Sequence, residues 1–497
     1  MDWANKYLGP ESYAIIYKRE GKDPNEQKIA APKITPIVTN RDSQSEFLSE
    51  IQTSQVQPIE PVFVDYKKDM SQFEAQPGID VLYKKNETND IFTLIYVFNT
   101  GTENDPALNL AFNYLSYLGT DKMTAEEIAS EMYDIACSFY MNAGANQSSI
   151  QITGLSENMG KAMEIVEGLI AGAKPDEAIL ENCKADMLKS RADAKLNQSR
   201  CFGALQRYLF YGGDFIRRTT LTDPALQALT SEQLLAKIGG LMGKQHEVLY
   251  YGPQKEAEVK SALAEHHKVA ADLQPLEKKF STLLPTDANK VVLAQYDAKQ
   301  LYYLQFSNRG EKFDVAADPE ITLYNEYFGG GMNTIVFQEM REARGLAYTA
   351  WATLATPSNA KGDYSYYAFI ATQNDKMQKA VEAFDDIINN MPESEKAFGI
   401  AKEALVSRLR TERTVKDGVL WSYLRARDLG LDAPRDKQIF EKVQSMTLDD
   451  VKAAQQKWVK GRKYVYGILG DIQDLDLNYL KTLGPIQTVS QEEIFGY

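Results

Sequence analysis

The side chains that most readily hold a metal or serve as nucleophiles are scarce in this chain of 497 residues, which has three cysteines and three histidines. Cys137, Cys183 and Cys201 are an odd set without Cys-x-x-Cys spacing, so neither a disulfide framework nor a zinc–thiolate site is indicated. Plain buried or half-buried thiols fit them better. His246 opens an apolar strand, and His266-His267 lies in a polar helix end, Ala262 to Lys268. Adjacent helical residues do not face one point, so a solvent-facing pair is expected there. No nucleophile–base constellation and no phosphate loop stands out. Gly329-Gly330-Gly331 follows an apolar helix; such a run permits positive φ and close backbone approach, and a helix C-cap with a turn would use it equally well. Downstream come Arg341 and Tyr348. A guanidinium offers forked donors to carbonyls or a carboxylate, and a phenol hydroxyl can donate or accept a hydrogen bond. An ion pair of Arg341 with Glu339 or Glu342, and Tyr348 as a core aromatic, is the competing reading.

Those residues need a scaffold, and composition bounds it. The length exceeds one core and suggests roughly two to four domains. Hydrophobic residues at 44% and charged residues at 25% are ordinary for a globular protein. A net charge of −14 argues against nucleic acid or an anionic membrane surface as partner. No apolar run is long enough for a transmembrane helix, and the start does not resemble a signal peptide. The compartment stays open, the periplasm included.

Ser12 to Lys18 reads as a β-strand whose sheet must be supplied elsewhere. Residues 20–75, punctuated by Pro24, Pro32, Pro36, Pro58 and Pro61, read as an interdomain strap in which only Pro61 to Tyr66 is strand-like. From about residue 78 the chain repeats itself. Gly101 and Gly310 end apolar strands 209 positions apart. Lys161-Ala162 and Lys379-Ala380 are 218 apart, Ser190-Arg191 and Ser407-Arg408 are 217 apart, and Gly252 and Gly470 are 218 apart. This spacing is far above a solenoid period. It predicts two duplicated α+β domains, residues 78–275 and 288–478, each a mostly antiparallel sheet with helices packed on one face. Residues 1–20 would then be a terminal strand of a preceding domain and 21–77 the strap.

The helix after Asn104-Asp105-Pro106, running through Leu110, Asn113 and Tyr114 to Gly119-Thr120, closely resembles the signature helix of the insulinase/pitrilysin-type zinc peptidases, the inverzincins. There His-x-x-Glu-His stands a fixed step before Gly-Thr. Counted back from Gly119-Thr120, the three functional positions are Leu110, Asn113 and Tyr114, none of which supplies a ligand or a general base. A later helix supplies a Glu ligand in the family. The corresponding stretch, Ala185 to Arg191, has Lys189 near that position, and a cation there would repel zinc. Asp186 and Glu126-Glu127 read as solvated helix faces.

The segment Gly329-Gly330-Gly331-Met332, Phe337-Gln338-Glu339, Arg341-Glu342 and Arg344-Gly345-Leu346-Ala347-Tyr348 resembles the chamber-facing part of an insulinase-type C-terminal domain. With the repeat, the resemblance covers about residues 1–480. It implies the zinc-free half of a four-domain peptidase, closing on a zinc-bearing half around an unfolded peptide. Arg341 and Tyr348 would reach the substrate beside glycines 329–331. It implies no cofactor bound by this chain, zinc in the partner half, and no cleavage by the chain alone. A non-catalytic scaffold or peptide-binding protein of the same fold is the alternative.

Overall fold

The computed structural model describes residues 2–9, 11–17, 45–55 and 57–497. They fall into two compact units, 1–58 and 59–497. The first contains helices Asp2–Tyr7 and Glu46–Thr53, the latter capped by the Ser45 hydroxyl, which accepts the Leu48 N–H at 3.1 Å. Residues 12–17, expected as a strand, belong to neither sheet, and Ile15 and Ile16 are exposed. Lys18 and strap residues 21–44 and 56 lie outside the described residues.

The second unit holds two six-stranded sheets. The first comprises β1 (Ser71–Gln76), β2 (Ile79–Lys85), β3 (Ile91–Phe98), β4 (Cys137–Ala143), β5 (Ser148–Leu155) and β6 (His246–Gly252), in the order β1-β2-β6-β3-β5-β4. The second comprises β7 (Lys290–Gln295), β8 (Gln300–Ser307), β9 (Thr349–Ala355), β10 (Ser365–Gln373), β11 (Val465–Gly470) and β12 (Ile486–Val489), in the order β12-β7-β11-β8-β10-β9. Apart from the flanking strands β1 and β12, the two orders are one connection pattern used twice. β1 begins inside the stretch read as connecting sequence. Pro61 to Tyr66 joins no sheet; Phe63 packs instead on the Phe440 ring, 5.9 Å between centroids.

Seven helices, in chain order, position the features below: α1 (Leu108–Leu115), α2 (Met159–Gly172), α3 (Glu177–Lys195), α4 (Gln198–Thr219), α5 (Glu256–His266), α6 (Asp318–Phe328) and α7 (Gly418–Asp428). Strand periodicity shows how they are layered. Phe92, Leu94, Tyr96 and Phe98 of β3 face a core with α1, α2 and α5, while Ile95 and Val97 face another with Val419, Leu420 and Leu424 of α7. In the second sheet Leu301 and Tyr303 meet α6, while Leu304 and Phe306 meet Cys201, Leu205 and Leu209 of α4.

Each repeat thus packs its own helices on one face of its sheet and sends one helix across to cover the far face of the other. Burial on both faces explains why these strands are apolar runs and not alternating patterns. α4 bends at Gly212, where φ is 83°. On the opposite crossing, Arg427 of α7 forms a bidentate ion pair with Glu247 of β6, with Nη2 2.8 Å from Oε2.

Candidate functional site

The second repeat builds its site from the end of α6. Gly329 follows the helix and packs so closely on β9 that a Cβ there would overlap the carbonyl oxygen of Ala352. Close approach, not positive φ, is why glycine stands at this position; φ is −111°. Gly330 and Gly331 are exposed, and a Cβ at Gly330 would meet nothing.

The chain then forms one helical turn, Ile335–Phe337, which widens into a π-helical turn over Gln338–Ala343. Such turns are uncommon and concentrate at functional sites. Met340 anchors it, fully buried, while its carbonyl accepts from the N–H groups of Leu346 and Ala347. Gly345, at φ 58°, reverses the backbone. Tyr348 is thereby brought under Arg341, whose guanidinium carbon lies 4.4 Å from the Tyr348 ring centroid and 5.0 Å from that of Phe337. Its Nη1 donates to the Tyr348 carbonyl at 3.3 Å.

This arrangement separates the two sequence readings. Tyr348 is 70% exposed and no core aromatic. Its hydroxyl has no hydrogen-bond partner among the described residues. Glu339 pairs with Arg344 at 3.3 Å, and Glu342 lies 3.9 Å from Arg341, at the limit of an ion pair. The guanidinium is held by two aromatic faces and one carbonyl, with donors left over, beside a free phenol.

The four degenerate positions of the first repeat do not converge. Leu110 and Tyr114 are buried in the core, Asn113 is exposed, and Lys189 projects into solvent. The groove-facing side of α3 carries Asp186, Met187, Ser190 and Arg191, which with Asn109, Asn113 and Cys183 line a cavity of about 350 Å³. Lys189 is off that stripe, so the expected cation beside the other positions is corrected. The Tyr114 hydroxyl donates to Ser231 Oγ at 2.7 Å and accepts the Asp176 N–H at 2.7 Å, tying α1 to two helix starts. Among the described residues no group of three or more His, Cys, Asp or Glu is placed to hold a metal. The three cysteines are buried, and burial pushes each thiol up.

One cluster is a second correction. α5 ends at His266, and the cap residue His267 turns inward instead of outward. It is 3% exposed, with Nε2 2.9 Å from His246 Nε2 and Nδ1 2.7 Å from Glu167 Oε1. Tyr96 donates to the same carboxylate oxygen at 2.8 Å, and the Lys268 N–H donates to the other at 2.6 Å. Burial, then the neighbouring His267, lowers His246 to about 4. The partners lie 21, 71 and 100 residues apart in sequence, so helix spacing carried no signal of the cluster.

Residues 245–405 match the family model described as the peptidase M16 inactive domain. An uncharacterized zinc protease of Rickettsia bellii is 23% identical over 312 residues, covering 60% of this chain and 70% of that protein. Among solved structures, a peptidase M16 inactive domain from Pseudomonas fluorescens aligns at TM-score 0.64 and 18% identity, covering 81% of this chain and 98% of the other. The periplasmic protease PqqL from Escherichia coli aligns at TM-score 0.64 and 14% identity, covering 89% of this chain and 49% of PqqL. The resemblance to the insulinase-type zinc peptidases is thereby shown, and the part of that family matched is its inactive domain. This chain spans about half the length of PqqL. No described helix is long and apolar enough to cross a membrane.

Proposed function

We propose that this chain is the zinc-free half of an insulinase-like peptidase, closing with a zinc-bearing half or subunit around an unfolded peptide. The observation that carries the reading is the exposed Arg341–Tyr348 stack on its π-helical turn, with the phenol hydroxyl unpartnered. A structural aromatic would be buried and a structural hydroxyl bonded. In the closed chamber Tyr348 would donate to the oxyanion formed on the scissile carbonyl. Arg341, already oriented by two rings, would hold a carbonyl or carboxylate of the peptide through its planar fork. Gly330 and Gly331 would let the peptide approach the backbone. The metal and the general base would come from the other half, because Leu110, Asn113 and Tyr114 supply neither.

The test is reconstitution. Mixing the chain with a zinc-bearing half should give peptide cleavage that neither shows alone. Binding of such a half without any gain in cleavage would overturn the catalytic role and leave the scaffold alternative.

A further inference from the structure

We propose that the cavity between α3, α4 and the loop 102–106 binds a carboxylate of the peptide through the guanidinium groups of Arg207 and Arg191. This rests on the peptide-binding reading above and deepens it, naming an acidic group on the peptide and placing it away from Arg341 and Tyr348.

The charge of this region runs against that of the chain. The whole protein carries −14, yet residues 189–218, from the second half of α3 through nearly all of α4, hold seven Lys or Arg and only two Asp. Basic residues gathered on an acidic protein favour an anionic ligand. Three of the seven find an acid within the chain: Lys195 lies 3.3 Å from Glu492, Arg217 pairs with Asp214, and Arg191 pairs with Asp223. Lys189, Arg200 and Arg218 are exposed to water.

Arg207 has neither. It is half-buried, and among the described residues no carboxylate lies within ion-pair distance of it. Its Nη2 donates to Thr219 Oγ1 at 2.7 Å, and its guanidinium carbon lies 5.0 Å from the Phe215 ring centroid. Burial pulls its pKa below the ordinary arginine value, with Glu103 and Tyr211 acting the other way. A cation taken out of water without a counter-charge is costly, and the planar fork of Arg matches a carboxylate.

The opposite crossing shows that a covering helix need not leave its guanidinium so. On α7, Arg427 is more exposed than Arg207, yet both oxygens of Glu247 meet it. That pairing raises Arg427 where Arg207 is lowered.

The space beside Arg207 is a cavity of about 450 Å³, within the range of small-ligand sites. Arg191 shares its wall; only its Nη1 is engaged with Asp223, and its guanidinium carbon lies 4.3 Å from the Tyr497 ring centroid. The Thr220 hydroxyl, also on the wall, is covered and has no hydrogen-bond partner among the described residues. Buried hydroxyls are normally bonded. Glu103 is the acid on this wall, and it accepts a hydrogen bond from Ser281. Two guanidiniums against one carboxylate leave the cavity positive, which suits a carboxylate and not an amine.

The test is calorimetric titration of the full chain with three N-acetylated octapeptides of alternating Gly and Ala. One ends in a free carboxylate, one in an amide, and one is the amide with a single central Glu. A carboxylate peptide should bind at least about tenfold more tightly than the uncharged amide. Which of the two does so tells whether the group is a chain end or an acidic side chain. Arg207→Gln should erase the preference, and Arg207→Lys should recover little of it. Glu103→Gln removes the opposing acid and should tighten carboxylate binding about threefold. Equal or undetectable binding of all three peptides by wild type would overturn the proposal, as would a preference that survives in folded Arg207→Gln. Where Arg207→Gln does not fold, an unchanged affinity in Glu103→Gln would overturn it instead. Such a failure leaves the reconstituted cleavage of the proposed function untouched, and a failed reconstitution leaves a measured carboxylate preference standing.

Discussion

The two repeats share one strand order, yet they treat the same sheet edge in opposite ways. In the second, Asn325 and Gly329 fasten the end of α6 to β9, and the following turn carries Arg341 and Tyr348 outward. In the first, α1 stops short of β4, and its polar groups turn inward: Tyr114 to Ser231, with His246, His267, Glu167 and Tyr96 forming a buried chain. One strand order thus closes an edge and exposes an Arg–Tyr stack in one repeat, and in the other leaves the edge unpaired among the described residues and keeps polar groups inside. The difference follows from a handful of hydrogen bonds, and these can be broken one at a time.

Gly329→Ala attacks the closed edge and carries the largest expected cost. The new Cβ would collide with backbone at Ala352, so the fastening must give way, at about 4 kcal/mol. Gly330→Ala, where a Cβ meets nothing, should change stability by less than about 0.5 kcal/mol. Denaturant melts of the pair measure the contrast, and exchange at Ala352 and Leu354 should quicken only in Gly329→Ala. Equal melts would remove close approach as the reason for glycine.

Acid should push the repeats in opposite directions. His246 is lowered to about 4, so its contribution is present above the ordinary histidine value and is lost as pH falls from about 6.5 toward 4. A shift of this size is worth about 3 kcal/mol. The groups that face His246 there are the Lys244 carbonyl and His267, whose Nε2 lies 2.9 Å from its own, and behind His267 stand Glu167, Tyr96 and the Lys268 N–H. Asp385 in the second repeat is raised to about 6 by burial, and among the described residues only Gln305 hydrogen-bonds to its carboxylate. Its native state gains protons first, so the second repeat gains stability as pH falls through 6. Residue-resolved exchange at pH 7.5 and 5.0 should show β6 opening more and β8 opening less. A uniform response would contradict the assignment.

Tyr114→Phe sharpens the contrast at smaller cost. It removes a buried hydroxyl and strands the Asp176 N–H and Ser231 Oγ, costing about 1–3 kcal/mol of unfolding stability. A neutral result would show that water replaces the phenol and that α1 is not held through it.

The chain displayed its duplication openly. Gly101 and Gly310 follow β3 and β8, Gly252 and Gly470 close β6 and β11, and the two Lys-Ala pairs fall on matching helices. Those landmarks are local, and strand periodicity carried them. The exchange of α4 and α7 between repeats was hidden, because an apolar helix face does not say which sheet it will cover. His267 was misread because a cap residue leaves the helical screw and turns inward, against Glu167 a hundred residues away. Lys189 adjoins Ser190 of the groove-facing stripe of α3 but is itself exposed and does not line the cavity. Arg341 and Tyr348 were legible as a spaced pair, but the stack needs the π-helical turn and Gly345, which no hydrophobic pattern encodes. Residues 12–17 read as a strand by composition alone, and they belong to neither sheet.

The central claim is that Arg341 and Tyr348 serve a peptide held between this chain and a zinc-bearing half. The direct measurement is steady-state peptide cleavage by the reconstituted pair, comparing wild type with Tyr348→Phe, Arg341→Lys and the Arg341→Ala, Tyr348→Phe double variant. Tyr348→Phe loses one oxyanion donor and should lower kcat by ~10²–10³ with the fold intact. Arg341→Lys keeps the charge, loses the fork and should recover little activity over Arg341→Ala, with KM raised as well. Full activity in the double variant, with the halves still associated, would contradict the account and leave the second repeat a scaffold.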